Sequence, residues 1–364
     1  MYVAQIGPFP PPVGGVSVHV QRLHERLLRE GHRSVVYASP NYVPSPRSPP
    51  CVIPRPNIRY LDRQTWLLRH GLFSKADIIH CHDGFIWSAA IWPTLILGRS
   101  AVMTIHNEIY IASDPRLSYA SNWFSRRMLQ SKQVSWIAVN GRIADYLQEM
   151  GVQTGRLFVI PAYIAPSLNI AGILPPAMEL FLSQHGPVLS VYGFRTQLDA
   201  NGVDLYGFDM ALLSLAILKD QYPKVGLVIA VSQTQEPLFT KMLALISALG
   251  LNERVHVVTG GLPDGPLLWS RCQVYLRPTT TDGDSLSVRE ALSLGTPVVA
   301  SDAVGRPPGV RLFKNRDVNA LVQSVVCALE QLRTSISSPA GVDMCSYAEV
   351  RRVYESLLTT TRRG

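Results

Sequence analysis

Cysteine is scarce and unpaired: five residues, at positions 51, 81, 272, 327 and 345, with no C-x-x-C spacing. The odd, scattered set argues against a disulfide framework or a structural zinc site and fits a reducing compartment. Charge is also sparse, 16% of residues against 47% apolar, so the chain is too apolar for disorder and can fill two buried sheets. Glycine and proline stay near ordinary usage, which excludes collagen-like and low-complexity chains. The first residues, MYVAQIGPFPPPVGG, show no basic stretch ahead of an apolar one, so they do not read as a secretory signal. The longest apolar run, Phe85 to Gly98, is shorter than the roughly 18 residues of a span and holds Pro93; it reads as a buried helix. No Lys/Arg stripe is interleaved with aromatics, which disfavours nucleic acid.

At 364 residues the chain exceeds the roughly 250–300 that one core sustains, so two domains are expected. The formal charge of +8 is uneven. Residues 1–170 hold 17 Lys+Arg against 9 Asp+Glu, and residues 171–364 hold 17 against 17. The excess serves either as a solubility surface or as an attraction to anions, whether phospholipid headgroups or a phosphate-bearing substrate.

Short β-branched runs alternate with helical periodicity. Strands are predicted at 2–6, 34–37, 77–80, 101–105, 136–139 and 157–160, and again at 188–192, 226–230, 255–258, 273–276 and 297–300. A helix from about Ser17 carries Val20, Leu23 and Leu27 on one face; others cover Phe208–Lys219 and Leu286–Leu294. Prolines 161, 166, 175, 176 and 187 mark the seam. Two parallel sheets place ligands at the carboxyl ends of their strands, in a cleft between the domains.

Two segments carry chemistry. Gly14-Gly15, between strand one and helix one, either lets a phosphate approach the backbone at a helix start or forms a tight turn needing φ > 0. No G-x-G-x-x-G is present there, so a nicotinamide cofactor is not favoured. The second segment runs from Arg277 to Asp302. In it a strand ends, a polar loop follows, and a helix begins near Ser287, with Asp282 and Glu290 bracketing loop and first turn. Amides there can hold a diphosphate, and flanking carboxylates suit sugar hydroxyls. The competing structural readings are a capping box, Ser287-x-x-Glu290, and a turn at Asp282-Gly283-Asp284.

This segment resembles the donor motif of the retaining GT-B glycosyltransferases of family 4 (group 1), an E-x7-E with nearby glycines and an E-A-x-A-x-G-x-P-V-V-A tail. Asp282 and Glu290 take the acidic places. Gly14-Gly15 is similar to the family's first-strand glycine loop, His80-Cys81-His82 to its H-x-H strand end, and Thr104-Ile105-His106 to its T-x-H strand end. The resemblance implies an α/β GT-B fold, two Rossmann-like parallel-sheet domains facing across a cleft. Residues 1–165 would bind the acceptor and 175–345 the nucleotide-sugar donor, with a helix at 346–364 packing back on the first domain. It implies catalytic roles for His106, Asp282 and Glu290: Glu290 on the ribose, Asp282 on the sugar, His106 on a sugar hydroxyl. It implies donor contacts from Gly14, Gly15, Arg195, Gly283, Asp284, Ser285, Leu286 and Ser287, with His82 on the acceptor side. The substrate is a UDP- or GDP-linked sugar, with no cofactor and no metal. The acceptor is a glycan or lipid-linked intermediate, at the cytoplasmic face of an anionic membrane.

Three departures stand out. The family's Gly-Arg becomes Gly193-Phe194-Arg195, its Lys-Gly becomes Tyr206-Gly207, and its E-G-F-G becomes Asp282-Gly283-Asp284-Ser285. The extra acid beside an anionic ligand requires that Asp284 turn to Arg289 or Arg277. The rival readings are a metal-dependent transferase using Asp282 and Asp284, a non-catalytic sugar-nucleotide binder, and an epimerase of the same fold. The acceptor loops are placed at Tyr42–Arg69 and Glu108–Ser125. Neither histidine has the Ser/Asp company of a hydrolytic triad.

Overall fold

Every strand pairing between the apolar runs is parallel. The computed structural model describes residues 1–10, 13–38, 57–60, 75–82, 96–107, 128–165, 173–260, 262, 265–334 and 346–361. The chain divides into two units, Met1–Ile164 with Cys345–Gly364, and Ala165–Met344.

In the first unit the strands are β1 (Tyr2–Ile6), β2 (Arg33–Ala38), β3 (Ile58–Tyr60), β4 (Ile78–His82), β5 (Ala101–Ile105), β6 (Val134–Ala138) and β7 (Leu157–Val159). They form a seven-stranded sheet in the order β3-β2-β1-β4-β5-β6-β7. Strands β4, β5 and β6 are buried at every residue, the signature of a sheet covered on both faces. Helix α1 (Gly15–Arg29) follows β1, and α2 (Gly141–Glu149), capped by Asn140 Oδ1 accepting from the Ile143 N–H, follows β6.

The second unit holds β8 (Val188–Arg195), β9 (Gly226–Gln233), β10 (Val255–Thr259), β11 (Val274–Arg277), β12 (Val298–Ser301) and β13 (Arg311–Phe313), in the order β10-β9-β8-β11-β12-β13. Its helices are α3 (Pro176–Gln184), α4 (Phe208–Gln221), α5 (Leu238–Ala248), α6 (Gly265–Arg271), α7 (Leu286–Ser293) and α8 (Val318–Thr334). One face of this sheet packs on α4, α5 and α8 through Leu212, Leu215, Ile246, Leu321 and Val325. The other packs on α3, α6 and α7 through Met178, Trp269, Val288 and Ala291.

The last helix, α9 (Tyr347–Thr361), returns to the first unit. Tyr347, Val350, Val353, Tyr354 and Leu357 join Val3, Leu23, Leu27, Ile78 and Ile137 in one core. Burying each such aliphatic side chain stabilises by about 1.5–3 kcal/mol.

Several expectations need correction. Helix α1 starts at Gly15 and not near Ser17. Helix α7 starts at Leu286 with Ser285 as its N-cap, so Ser287 lies inside the helix and the Ser287/Glu290 capping box does not form. Strand β3 lies inside the stretch assigned to an acceptor loop, and β13 was not expected; each is a three-residue run that includes an arginine, Arg59 in β3 and Arg311 in β13. The end of the apolar run at Phe85–Gly98 is not buried, since Ile96 is 74% exposed. The rest of that run, most of Tyr42–Arg69 and all of Glu108–Ser125 lie outside the described residues. Cys81, Cys272 and Cys327 are free thiols.

Candidate functional site

Strand order reverses between β1 and β4 in one unit and between β8 and β11 in the other. Parallel sheets bind ligands outside the carboxyl ends of their strands at such reversals. The expected site residues sit at the carboxyl ends of strands at or next to these reversals: Gly14 and Gly15 after β1, His82 ending β4, His106 after the neighbouring β5, Arg195 ending β8, and 282–290 after β11.

In the first unit, Gly14 is extended (φ −156°) and neither it nor Gly15 has positive φ, so the turn explanation for the pair falls away. A Cβ on Gly15 would meet nothing within 4 Å. The glycines leave the start of α1 open to close approach. The first turn is closed by Ser17, whose Oγ accepts from the Gly14 N–H (2.9 Å) and donates to the Gly14 carbonyl (3.0 Å).

Behind this turn lies a buried group of imidazoles. One ring nitrogen each from His19, His82 and His106 lies within 4.8 Å of the others. The His80 ring lies tilted against that of His82, with centroids 3.9 Å apart. Its Nδ1 bonds the Tyr354 hydroxyl (2.5 Å) and its Nε2 the Thr104 hydroxyl (2.7 Å). His19 Nδ1 faces the Ala162 carbonyl at 2.6 Å, which requires the proton on Nδ1 and leaves Nε2 as the lone pair. Burial, helped by the nearby Arg22 charge and opposed by the Ala162 bond, pulls His19 down to about 4. Burial first, then the other imidazoles, holds His80, His82 and His106 well below the ordinary value, so all four are neutral at pH 7.

In the second unit, β11 ends on Arg277, whose guanidinium holds Asp282 in a fork: Nε to Oδ2 at 2.8 Å and Nη2 to Oδ1 at 3.0 Å. Its Nη1 donates to the Tyr192 carbonyl (2.7 Å). Arg306 adds Nη1 to Asp282 Oδ2 (2.7 Å) and Nη2 to Thr279 Oγ1 (2.9 Å). Burial would raise the Asp282 carboxyl, but the two guanidiniums hold it far below the usual carboxylate range. Two cations against one carboxylate leave a positive balance in this loop. Asp284 turns to Arg289 (2.6 Å), as the extra acid required. Asp282 itself, expected on the sugar, already accepts three guanidinium hydrogen bonds of the roughly four a carboxylate takes.

The helix that follows is ready for an anion. Ser285 makes no side-chain cap, and its Oγ pairs with Ser287 Oγ (3.1 Å), which in turn accepts from the Tyr275 hydroxyl (2.6 Å). The N–H groups of Leu286, Ser287 and Val288 have no intrahelical acceptor. Glu290 is buried one turn in, its Oε2 accepting from the Trp269 indole N–H (2.8 Å). Arg195 is half-buried beside Phe194 and has no carboxylate partner among the described residues.

Helix α4 is different. Asp204 accepts the N–H groups of Tyr206, Gly207 and Asp209, so the chain's own carboxylate fills that N-terminus. Tyr206, in the place of the family's lysine, stacks on Phe208 under the Arg277 guanidinium.

His19, Arg306, Trp269 and Asp204 were not expected. His19 lies on the same helical face as the core residue Leu23, four positions on, and that spacing could have found it. Arg306 and Trp269 reach the loop through the topology of the sheet and left no local signal.

A model of "Glycosyltransferase Family 4" matches residues 13–167, and one of "Glycosyl transferases group 1" matches residues 200–331. Among solved structures, Alr3699/HepE of Anabaena in complex with UDP-glucose is similar over 100% of this chain and 99% of its own, at TM-score 0.66 and 13% identity. Sucrose-phosphate synthase of Thermosynechococcus elongatus is similar over 100% and 98%, at 0.59 and 16%. WaaG, a glycosyltransferase involved in lipopolysaccharide biosynthesis, is similar over 99% and 98%, at 0.62 and 16%. No curated protein matches the chain.

Proposed function

The chain belongs to the family 4, group 1 glycosyltransferases of GT-B fold, and on that premise we propose that it moves a sugar from a nucleotide diphosphate sugar to an acceptor hydroxyl with retained anomeric configuration. The observation that carries this reading is the uncapped start of α7 at the β8/β11 reversal, with Glu290 one turn in.

The leaving diphosphate needs stabilisation in an oxocarbenium-like transition state. Amides of residues 286–288, the helix dipole and Arg195 supply it, with the positive balance of Arg277, Arg306 and Asp282 behind them. That balance offsets the missing lysine, which supports an active enzyme over a mere binder. Glu290 takes the ribose with the capacity its indole bond leaves. His106, neutral, accepts from a sugar hydroxyl. Asp282 fixes the loop and offers its remaining acceptor site to the sugar. Attack comes from the same face, with the leaving phosphate as base. Both acids of the Asp282/Asp284 pair are matched by arginines, which supports transfer without a metal at the diphosphate.

UDP-containing neighbours favour a uridine donor, and the basic first half favours a lipid-linked or polysaccharide acceptor at an anionic membrane. No helix of the described residues is long and apolar enough to cross a membrane, and the proposed association is peripheral. Flotation with anionic vesicles is expected at low salt and lost at high salt; flotation indifferent to anionic lipid removes this part.

The test is a thermal-shift screen of UDP- and GDP-sugars, followed by donor turnover. At 100 times its dissociation constant a bound donor adds about 2.7 kcal/mol. Glu290→Ala is expected to abolish the shift. His106→Ala is expected to keep the shift while turnover falls roughly 100-fold. Full activity in both variants overturns the reading.

A further inference from the structure

The three imidazoles of His19, His82 and His106 carry a consequence that sugar transfer does not use. One nitrogen of each lies within 4.8 Å of the others, and all three residues are more than nine-tenths buried. His19 Nε2, His106 Nε2 and both nitrogens of His82 have no hydrogen-bond partner among the described residues. A buried polar nitrogen left unpaired costs about 1–3 kcal/mol, so a cluster of them points to a ligand. We propose that His19, His82 and His106 bind one divalent first-row transition ion, of the zinc class, within the first unit.

The arrangement has the parts such a site needs. The ligands come from three separate elements: helix α1, the end of β4, and the residue after β5. The Ala162 carbonyl takes the Nδ1 proton of His19, which fixes the tautomer that presents Nε2 as the lone pair. His80, bonded at both nitrogens, is a wall against His82 and not a ligand. The imidazoles stand neutral at pH 7, the form that binds metal. Imidazole donors suit zinc, copper and nickel over magnesium and calcium. At Zn–N distances of about 2.0–2.1 Å the nitrogens of a tetrahedral site stand roughly 3.4 Å apart, so the rings close inward by about an ångström on binding. Three histidines leave a fourth position open.

The ion would take the lone pair that His106 offers to the sugar, so its binding inhibits transfer. This last clause rests on the proposed function; the site itself does not.

The test uses the full chain, stripped with a chelator, titrated with Zn2+ by calorimetry and with Co2+ by visible absorption. One ion per chain and the absorption of a tetrahedral cobalt site are expected. His19→Gln and His82→Gln should each weaken binding at least tenfold, while His32→Gln leaves it unchanged. Absence of binding, an octahedral cobalt spectrum in the unaltered chain, or binding retained in both variants overturns the site. The cobalt spectrum decides even where a variant fails to fold. Occupancy with undiminished donor turnover overturns only the role of His106 in transfer.

Discussion

At the residue scale, Asp282 shows how one carboxylate is committed by its neighbours. It is the shared counter-ion of two buried guanidiniums, Arg277 and Arg306. Removing one partner of a buried ion pair costs about 3–5 kcal/mol, because the remaining charge is uncompensated. Asp282→Asn is therefore expected to lower the Tm of the calorimetric transition that UDP raises; an unchanged Tm would detach Asp282 from the fold. Gly207 is a second fixed point. Its φ is +69°, and a Cβ there would stand 2.2 Å from the Pro278 carbonyl oxygen. Gly207→Ala should cost more than about 2 kcal/mol and displace the loop that leads to Asp282. Glu290 and Asp282 were legible as a spaced pair in the sequence. The partners that decide what each can still bind were not, because Trp269 and Arg306 stand 21 and 24 residues away along the chain.

At the scale of elements, the long apolar strands were legible because burial on both faces writes continuous β-branched runs. Strands β3 and β13 were not, since an arginine stands in each three-residue run, while the equally short β7 is apolar throughout. The N-cap of α7 is Ser285, two residues before the Ser287 of the competing capping-box reading, so Glu290 is a buried acceptor inside the helix and not a capping partner. Helix α9 joins a core whose other members lie nearly 200 or more residues earlier. Tyr354 meets both the core and His80, so Tyr354→Phe leaves His80 Nδ1 buried without its bond. The expected loss is about 1–3 kcal/mol, read by calorimetry. Retention of full stability would mean that the His80 proton can sit on the Thr104 side alone.

At the scale of the whole molecule, the buried imidazoles make the first unit sensitive to acid. In the first, His19, His80, His82 and His106 have pKa values below 6.5 when folded and near 6.5 when unfolded. Between those values the unfolded chain holds protons that the folded chain lacks. Their contribution is fully present above pH 6.5 and is lost as pH falls toward the folded values. Calorimetric scans should show the first unit melting earlier as pH falls from 7 toward 5, with little change between 7 and 8.5. A flat profile would mean that the imidazoles reach solvent. The length announced two domains and the alternating pattern announced two parallel sheets. Neither showed that four histidines share one buried space.

The central claim is that main-chain N–H groups at the start of α7 receive the donor's diphosphate. Hydrogen exchange over residues 279–290, measured with and without UDP, tests it most directly. Slowing of at least tenfold across residues 286–288 is expected. UDP that raises the Tm while exchange there stays unchanged would contradict it.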